Sequence, residues 1–282
     1  MLSIIRQDKK LLFGLIGFVS GMLGALIADI LTFTLPDAQP YIIGIISVAV
    51  WAGLFSAIIA TGLYWAIDVY GHRKTSWPVL LTKSIPIGFI AGAVSGGIAQ
   101  AIYGPFSMAL SDTWVHFLFQ SACWGLAGLI LGWGLSRAIP NMGAQRAVIA
   151  GAIGGLIGGA GFLIASDFLT ATPGRMLGVG ILGASLGLCL IIVEERYRTA
   201  YIEVHWAPNE VSKFTLGSIP IYIGGGGEDD IYVHGLQHHA MSLVSERGKV
   251  TGIYKVTGEQ KELSNGSSIK FGKVEMIVRM NR

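Results

Sequence analysis

Apolar residues fill the first two thirds of the chain in six long runs, and the last third alternates instead. The runs cover residues 11–35, 41–70, 85–103, 115–138, 147–169 and 176–193. Hydrocarbon about 30 Å thick is crossed by about 20 mostly apolar helical residues. Each run is therefore expected to be a membrane-spanning helix, the form that satisfies its own backbone groups in lipid. Breakers lie between them: Pro36 and Pro40, then GHRKTSWP (71–78), Gly104-Pro105, Pro140-Asn141 and Thr172-Pro173-Gly174. After Glu194-Glu195-Arg196-Tyr197-Arg198 the period falls to two, as in YIEVHW (201–206), SSIKFG (267–272) and VEMIVRM (274–280). Turn signals recur at Pro208-Asn209, Gly217-Ser218, Gly224 to Gly227, Arg247-Gly248, Gly258 and Asn265-Gly266. Short strands at that spacing predict a β-sandwich or barrel. The expected organisation is a six-span bundle over 1–198 and an all-β domain over 199–282.

Glycines add a second pattern inside the runs. Gly14, Gly17, Gly21 and Gly24 share one helical face, as do Gly88, Gly92 and Gly96, and again Gly151, Gly155 and Gly159. Shorter versions, Gly125, Gly128 and Gly132, then Gly183 and Gly187, mark even-numbered spans. Such faces let helices approach closely where lipid supplies no hydrophobic drive. Gly17, Gly21, Gly88, Gly92, Gly151 and Gly155 are the expected packing positions, within the chain or between two copies of it. IGFVSGMLGALIAD (16–29) aligns with IGFIAGAVSGGIAQ (87–100) and more loosely with AGAIGGLIGGAGFL (150–163). Three hairpin-like repeats follow, and with them a bundle of pseudo-threefold character whose odd helices meet at the centre. Mitochondrial carriers also have three hairpins, but their proline-and-acid signature is absent.

Composition agrees. Mean hydropathy is +0.61 and 13% of residues are charged, against roughly 25% in soluble domains. From residue 84 to 136 the ionisable acids and bases are Asp112 and His116, whereas 194–282 is charged throughout. The opening MLSIIRQDKK leads into an apolar run too long for a signal peptide. Lys and Arg gather on one side of the spans: Arg6, Lys9 and Lys10; Arg73, Lys74 and Lys83; Arg137 and Arg146; Arg196 and Arg198. Arg175 stands on the other. By the positive-inside rule both termini are expected in the cytoplasm; with no organellar targeting segment visible, a bacterial inner membrane is the default expectation. A formal charge of +3 gives no reason to expect nucleic acid. Cys123 and Cys189 fall in apolar runs and imply buried thiols, not a disulfide framework.

Polar residues in or beside the spans are functional candidates: Asp29, Asp68, Gln100, Arg137 and Asp167. Most sit in the last turns of a helix, where interfacial anchoring is the plainer reading. Trp51, Trp65, Trp114, Trp124 and Trp133 read as belt or packing residues.

The stretch IGGGGEDDIYVHGLQHHA (223–240) looks like an ion or phosphate site. With FTLGSIPIY before it and ELSNGSSIKFGKVEMIV after it, it resembles the forkhead-associated (FHA) domain, a phosphothreonine-binding β-sandwich. The resemblance covers about 75 residues and is carried by Ile223-Gly224, Asp230-Ile231, His239-Ala240, Leu263, Gly266, Ile269 and Gly272. It implies that the family's phosphate-contacting Arg, Ser and following basic residue fall at Gly225, Leu236 and Gln237, and that His239 is a hydrogen-bonded strut. Phosphate binding uses charge-assisted donors, Arg above all. Glycine, leucine and glutamine provide none, and Glu228, Asp229 and Asp230 lie alongside. Asn265-Gly266 is assigned to the later turn rather than to peptide reading.

GGGGEDDIY also fits a single calcium-roll repeat, without the neighbouring copies such a site uses. No Gly-Lys-Ser/Thr follows, so a P-loop is excluded. A zinc cluster of His234, His238 and His239 is disfavoured, because adjacent strand residues point to opposite faces. The glycine run is expected to be an adaptable loop at the sandwich rim. The expected function is non-enzymatic and free of cofactors: a membrane anchor whose degenerate FHA-like module (199–282) meets an unidentified protein partner. The alternatives are a glycine-lined channel or transporter regulated by the tail, and a phosphopeptide reader using Lys213 or Arg247. An intramembrane enzyme is least favoured.

Overall fold

The computed structural model describes residues 8–32, 41–73, 76–107, 113–137, 139, 141–169, 171–208, 210–255 and 257–281. Arg6, the end of the first predicted span, Pro36, Pro40, Lys74, Asp112, Pro140 and Asn209 lie outside them. The described residues form six long helices: α1 (Lys9–Thr32), α2 (Tyr41–Tyr70), α3 (Trp77–Ser107), α4 (Thr113–Leu135), α5 (Ala144–Phe168) and α6 (Ala171–Tyr197). All six are long and apolar enough to cross a membrane. Two exceed the sequence reading, because prolines expected to break them are absorbed. Pro78 and Pro173 occupy first turns, where a missing N–H costs nothing, and Pro86 and Pro105 lie within α3.

Each helix packs on its neighbours in sequence and α6 returns to α1, so the six close into a ring. The odd helices do not meet at the centre, as the repeat had suggested. The contacts across the middle join α2, α4 and α6, and the α3–α4 seam is the slimmest in the ring. The glycines explain the arrangement. A Cβ at Gly17 would lie 2.2 Å from the Gly183 carbonyl oxygen, at Gly88 2.6 Å from that of Ser56, and at Gly151 2.1 Å from that of Gly128. Gly21, Gly92 and Gly155 meet Val179, Ala52 and Trp124 carbonyl oxygens at 2.3 Å each. Repeat-equivalent glycines thus press each odd helix onto the even helix before it, giving three tight pairs: α6–α1, α2–α3 and α4–α5. The opposite faces are apolar. On α1, Leu11, Leu15, Val19, Leu23 and Ile27 are exposed at four-residue intervals while Gly14, Gly17, Gly21 and Gly24 are buried. So extensive an apolar exterior suits lipid, not water. The ring encloses a cavity of about 1310 Å³.

Among the described residues nine strands follow: β1 (Ala200–Ala207), β2 (Glu210–Leu216), β3 (Ile221–Gly224), β4 (Ile231–Tyr232), β5 (Met241–Glu246), β6 (Lys249–Tyr254), β7 (Gln260–Leu263), β8 (Ser268–Phe271) and β9 (Val274–Met280). They make two sheets, ordered β2-β1-β9-β8 and β4-β3-β5-β6-β7. Only β3–β4 is parallel among the paired strands. Alternation places Ile202, Val204, Ile221, Ile223, Leu243, Met276 and Val278 in one core between the sheets. Arg247-Gly248 forms the two-residue β5–β6 turn, both with positive φ (48° and 79°), as the twist of a tight hairpin demands. The chain is thus a six-helix bundle followed by a two-sheet β-sandwich.

Candidate functional site

The loops flanking β4 bring Gly224, Gly225, Leu236, Gln237 and His239 into one rim. The glycine run there is close-packed rather than adaptable. Gly225 N–H donates to the Gln237 carbonyl at 3.1 Å, and Val233 N–H to that of Gly224 at 2.8 Å. A Cβ at Gly224 would stand 2.4 Å from Asp229 Oδ2, at Gly225 2.2 Å from the Leu236 carbonyl oxygen, and at Gly226 2.0 Å from His238 Nδ1. None of Gly224 to Gly227 has a positive φ. These glycines are therefore required for room, and only Gly227 has open space beside it.

Asp229 is the centre of the rim. Its carboxylate is fully buried and accepts from Gly226 N–H at 2.7 Å, from His239 N–H at 3.1 Å and from the His239 ring at Nδ1. Burial alone would raise its pKa. The bonds from the His239 ring and the two backbone amides outweigh burial and hold it below the ordinary 3.8. His239 takes the left-handed region (φ 53°), and its half-buried ring stacks on Tyr222 at 4.2 Å and on His238 at 3.7 Å. The segment is not a strand, so His238 and His239 do not diverge as the alternation argument had them. Their ligand atoms and an Asp229 oxygen lie within 4.8 Å of one another. The carboxylate is already spent on N–H donors, so the arrangement is a hydrogen-bonded clasp. His234 stands apart, with Nδ1 3.4 Å from the Tyr232 hydroxyl.

Neither proposed substitute cation serves the rim. Lys213 pairs with Glu203 on β1 at 3.4 Å, and Arg247 sits in the β5–β6 turn. Lys255 is brought to the rim instead, its Nζ donating to the His238 carbonyl at 3.2 Å. Asn265 accepts from Met280 N–H on β9 at 3.1 Å, in keeping with a turn residue.

The acids beside the rim face the bundle. Arg73, just past α2, donates through Nη2 to Asp230 Oδ1 at 2.6 Å and through Nε to the Asp230 carbonyl at 3.1 Å. Lys83 of α3 lies 3.6 Å from Glu228. The contact continues along β2, an edge strand of its sheet. Its outward Lys213 N–H donates to the Tyr70 hydroxyl at 2.6 Å, and its outward Thr215 carbonyl accepts from Asn141 Nδ2 at 3.2 Å. Asn141 Oδ1 accepts from Ile219 N–H at 2.9 Å. Glu194 of α6 is buried between Lys9 of α1, at 2.7 Å, and the Thr215 hydroxyl. Unpaired strand edges invite foreign strands, and here helix ends cover this one. Sequence alone showed none of this, since Tyr70, Arg73, Asn141 and Thr215 are distant in the chain and ordinary in type.

Of the span candidates, two enter the cavity and three do not. Asp29 and Gln100 line it, at equivalent places in the repeat, and Leu163 at the third place lines it too. Arg175 Nε reaches Asp29 Oδ2 at 2.9 Å, and Trp51 Nε1 donates to Asp29 Oδ1 at 2.8 Å. Asp68 lies 3.7 Å from Arg73, Arg137 stacks on the Trp133 ring at 4.0 Å, and Asp167 is exposed near the end of α5. Arg175 had signalled only topology.

No protein-family model matches the chain, and no curated protein matches it. Among solved structures, one from a structural and functional analysis of phosphothreonine-dependent FHA domain interactions is 16% identical. It covers 29% of this chain and 97% of its own, with a TM-score of 0.26. Mycobacterium tuberculosis EmbR in complex with a low-affinity phosphopeptide is 12% identical, covering 87% of this chain and 73% of its own at a TM-score of 0.25.

Proposed function

We propose that this chain is a non-enzymatic membrane protein whose FHA-like sandwich, on the cytoplasmic side, is a protein-interaction module that does not read phosphate. The reading rests on one observation. Gly225, Leu236 and Gln237, where the resemblance puts the FHA phosphate contacts, come together beside the buried Asp229 carboxylate, and none of the three side chains carries a charge. A dianion there would meet no guanidinium fork. The acids that would repel it are engaged by Arg73 and Lys83, so the module is held against the bundle by one side of its rim. His234, Gln237 and His238 remain exposed for a protein partner. Titration of the full-length protein with matched threonine and phosphothreonine peptides is expected to show no more than a few-fold preference for phosphate. A hundredfold preference would overturn the reading. Crosslinking in intact membranes is expected to capture a protein at the rim, and Gln237→Asp to lose it.

The cavity supports a second reading, a conduit governed by the sandwich. Ion flux in proteoliposomes that disappears with Asp29→Asn would favour it over the adaptor.

A further inference from the structure

The interaction module leaves the cavity inside the bundle without a role. Ligand sites for drug-sized molecules run to about 300–1,000 Å³, and the cavity of about 1310 Å³ exceeds them. Its wall changes with depth. Toward the end of the bundle away from the sandwich it carries Asp29, Gln100, Gln120, Thr172 and Arg175. Toward the sandwich it carries Phe55, Ile59, Leu131, Leu182 and Leu186, with Ser56 among them, so that part of the wall is mainly apolar. On α6, Arg175 and Leu186 are separated by about 16 Å at 1.5 Å per residue. A hydrogen-bonding mouth over a deep apolar base complements a molecule with a polar head and a long hydrocarbon tail.

Arg175 decides the head group. Its Nε donates to both oxygens of Asp29, at 2.9 and 3.2 Å, and Trp51 fixes the same carboxylate. Both Asp29 oxygens are thus engaged by Nε of the guanidinium. The Arg175 side chain is still 43% exposed, and its two terminal amino groups are not used on Asp29. Paired N–H donors of that kind match phosphate oxygens. With Asp29 beside it the site is near neutral, so what it selects is the phosphate group rather than net negative charge. Gln100 of α3 and Gln120 of α4 both line the cavity, and these two helices share the slimmest seam of the ring.

We propose that the bundle binds a phosphate-headed amphiphile, with its phosphate at Arg175 and its acyl chains in the apolar base. The proposal rests on the membrane reading of the six helices and is independent of the sandwich. The test is native mass spectrometry of the full-length protein in a phosphate-free maltoside detergent. It is titrated with phosphatidylglycerol, with diacylglycerol of the same chains, and with inorganic phosphate. Phosphatidylglycerol is expected to be retained at least tenfold better than diacylglycerol, and inorganic phosphate to leave it in place. Arg175→Gln should abolish the tenfold preference. Ala99→Trp, which adds bulk to the cavity wall and keeps both Asp29 and Arg175, should reduce retention of both lipids. Equal retention of the two lipids by the wild type, displacement by inorganic phosphate, or unaltered retention in Ala99→Trp would each overturn the proposal. Extraction of the chain from cells without detergent would overturn it together with the membrane reading.

Discussion

Glu194 and Glu195 make ion pairs of the same length in very different surroundings, and replacing each with alanine separates burial from distance. Glu194 meets Lys9 at 2.7 Å with side chains 2% and 12% exposed, whereas Glu195 meets Lys10 at 2.7 Å with 26% and 46%. Removing one partner of a buried pair costs about 3–5 kcal/mol, because the survivor is left charged and desolvated. Glu194→Ala also strands the Thr215 hydroxyl, but Lys9 retains a little access to water, so the lower end, about 3 kcal/mol, applies. That is roughly a hundredfold in the equilibrium between docked and undocked sandwich. Glu195→Ala removes a surface pair worth about 0–1 kcal/mol. The readout is hydrogen exchange of β2, whose Lys213 amide is covered by Tyr70 from α2. Glu194→Ala is expected to speed that exchange by about two orders of magnitude, and Glu195→Ala by less than about fivefold. If the two variants exchange β2 at the same rate while both remain folded, burial does not govern the attachment and the reasoning fails.

Gly151→Ala places a methyl 2.1 Å from the Gly128 carbonyl oxygen. It should destabilise the detergent-solubilised protein by about 1–3 kcal/mol, while Gly44→Ala, which has open space, should leave the melting temperature level or raised. Gly225→Arg supplies the arginine that the FHA resemblance implies at this place, yet its Cβ would lie 2.2 Å from the Leu236 carbonyl oxygen. A peptide titration is expected to find no phosphothreonine binding, and melting to show a weakened sandwich. Asp229 is held below the ordinary carboxylate value by the His239 ring and two amides that together outweigh its burial, and Glu203 likewise, where Arg279 and Lys213 outweigh burial. Both carboxylates bind fewer protons folded than unfolded, so their stabilisation is complete above the ordinary value and fades as pH falls through the folded one. Asp229→Asn should cost about 1–3 kcal/mol at neutral pH by leaving buried donors poorly met, and should flatten the acid limb of a pH–stability profile.

The reach of sequence reasoning differs between the two halves for a physical reason. Lipid imposes length and apolarity on every span, so all six runs were legible, and the glycine faces announced close packing. Their partners were not legible: a glycine marks where backbones approach but carries no label for which helix arrives. Hence the ring, with even helices toward the middle, replaced the expected odd-helix centre. In the sandwich, the motif letters pointed to Gly224, Gly225, Leu236, Gln237 and His239, which share one rim, but the meaning of the glycines was missed. Without the opposing Leu236 to His239 backbone in view, conformational freedom and lack of room look the same in sequence.

Local chemistry and periodicity therefore determined the element types and the order of the halves, because those depend on residues near one another in the chain. Tertiary structure alone decided that Arg73 and Lys83 take up the rim acids, that Tyr70 and Asn141 cover the β2 edge, and that Asp29 meets Arg175 across 146 residues. Each is a contact between groups that any exposed surface could carry, and only the folded geometry, which brings them within hydrogen-bond reach and away from water, gives the pairing its strength.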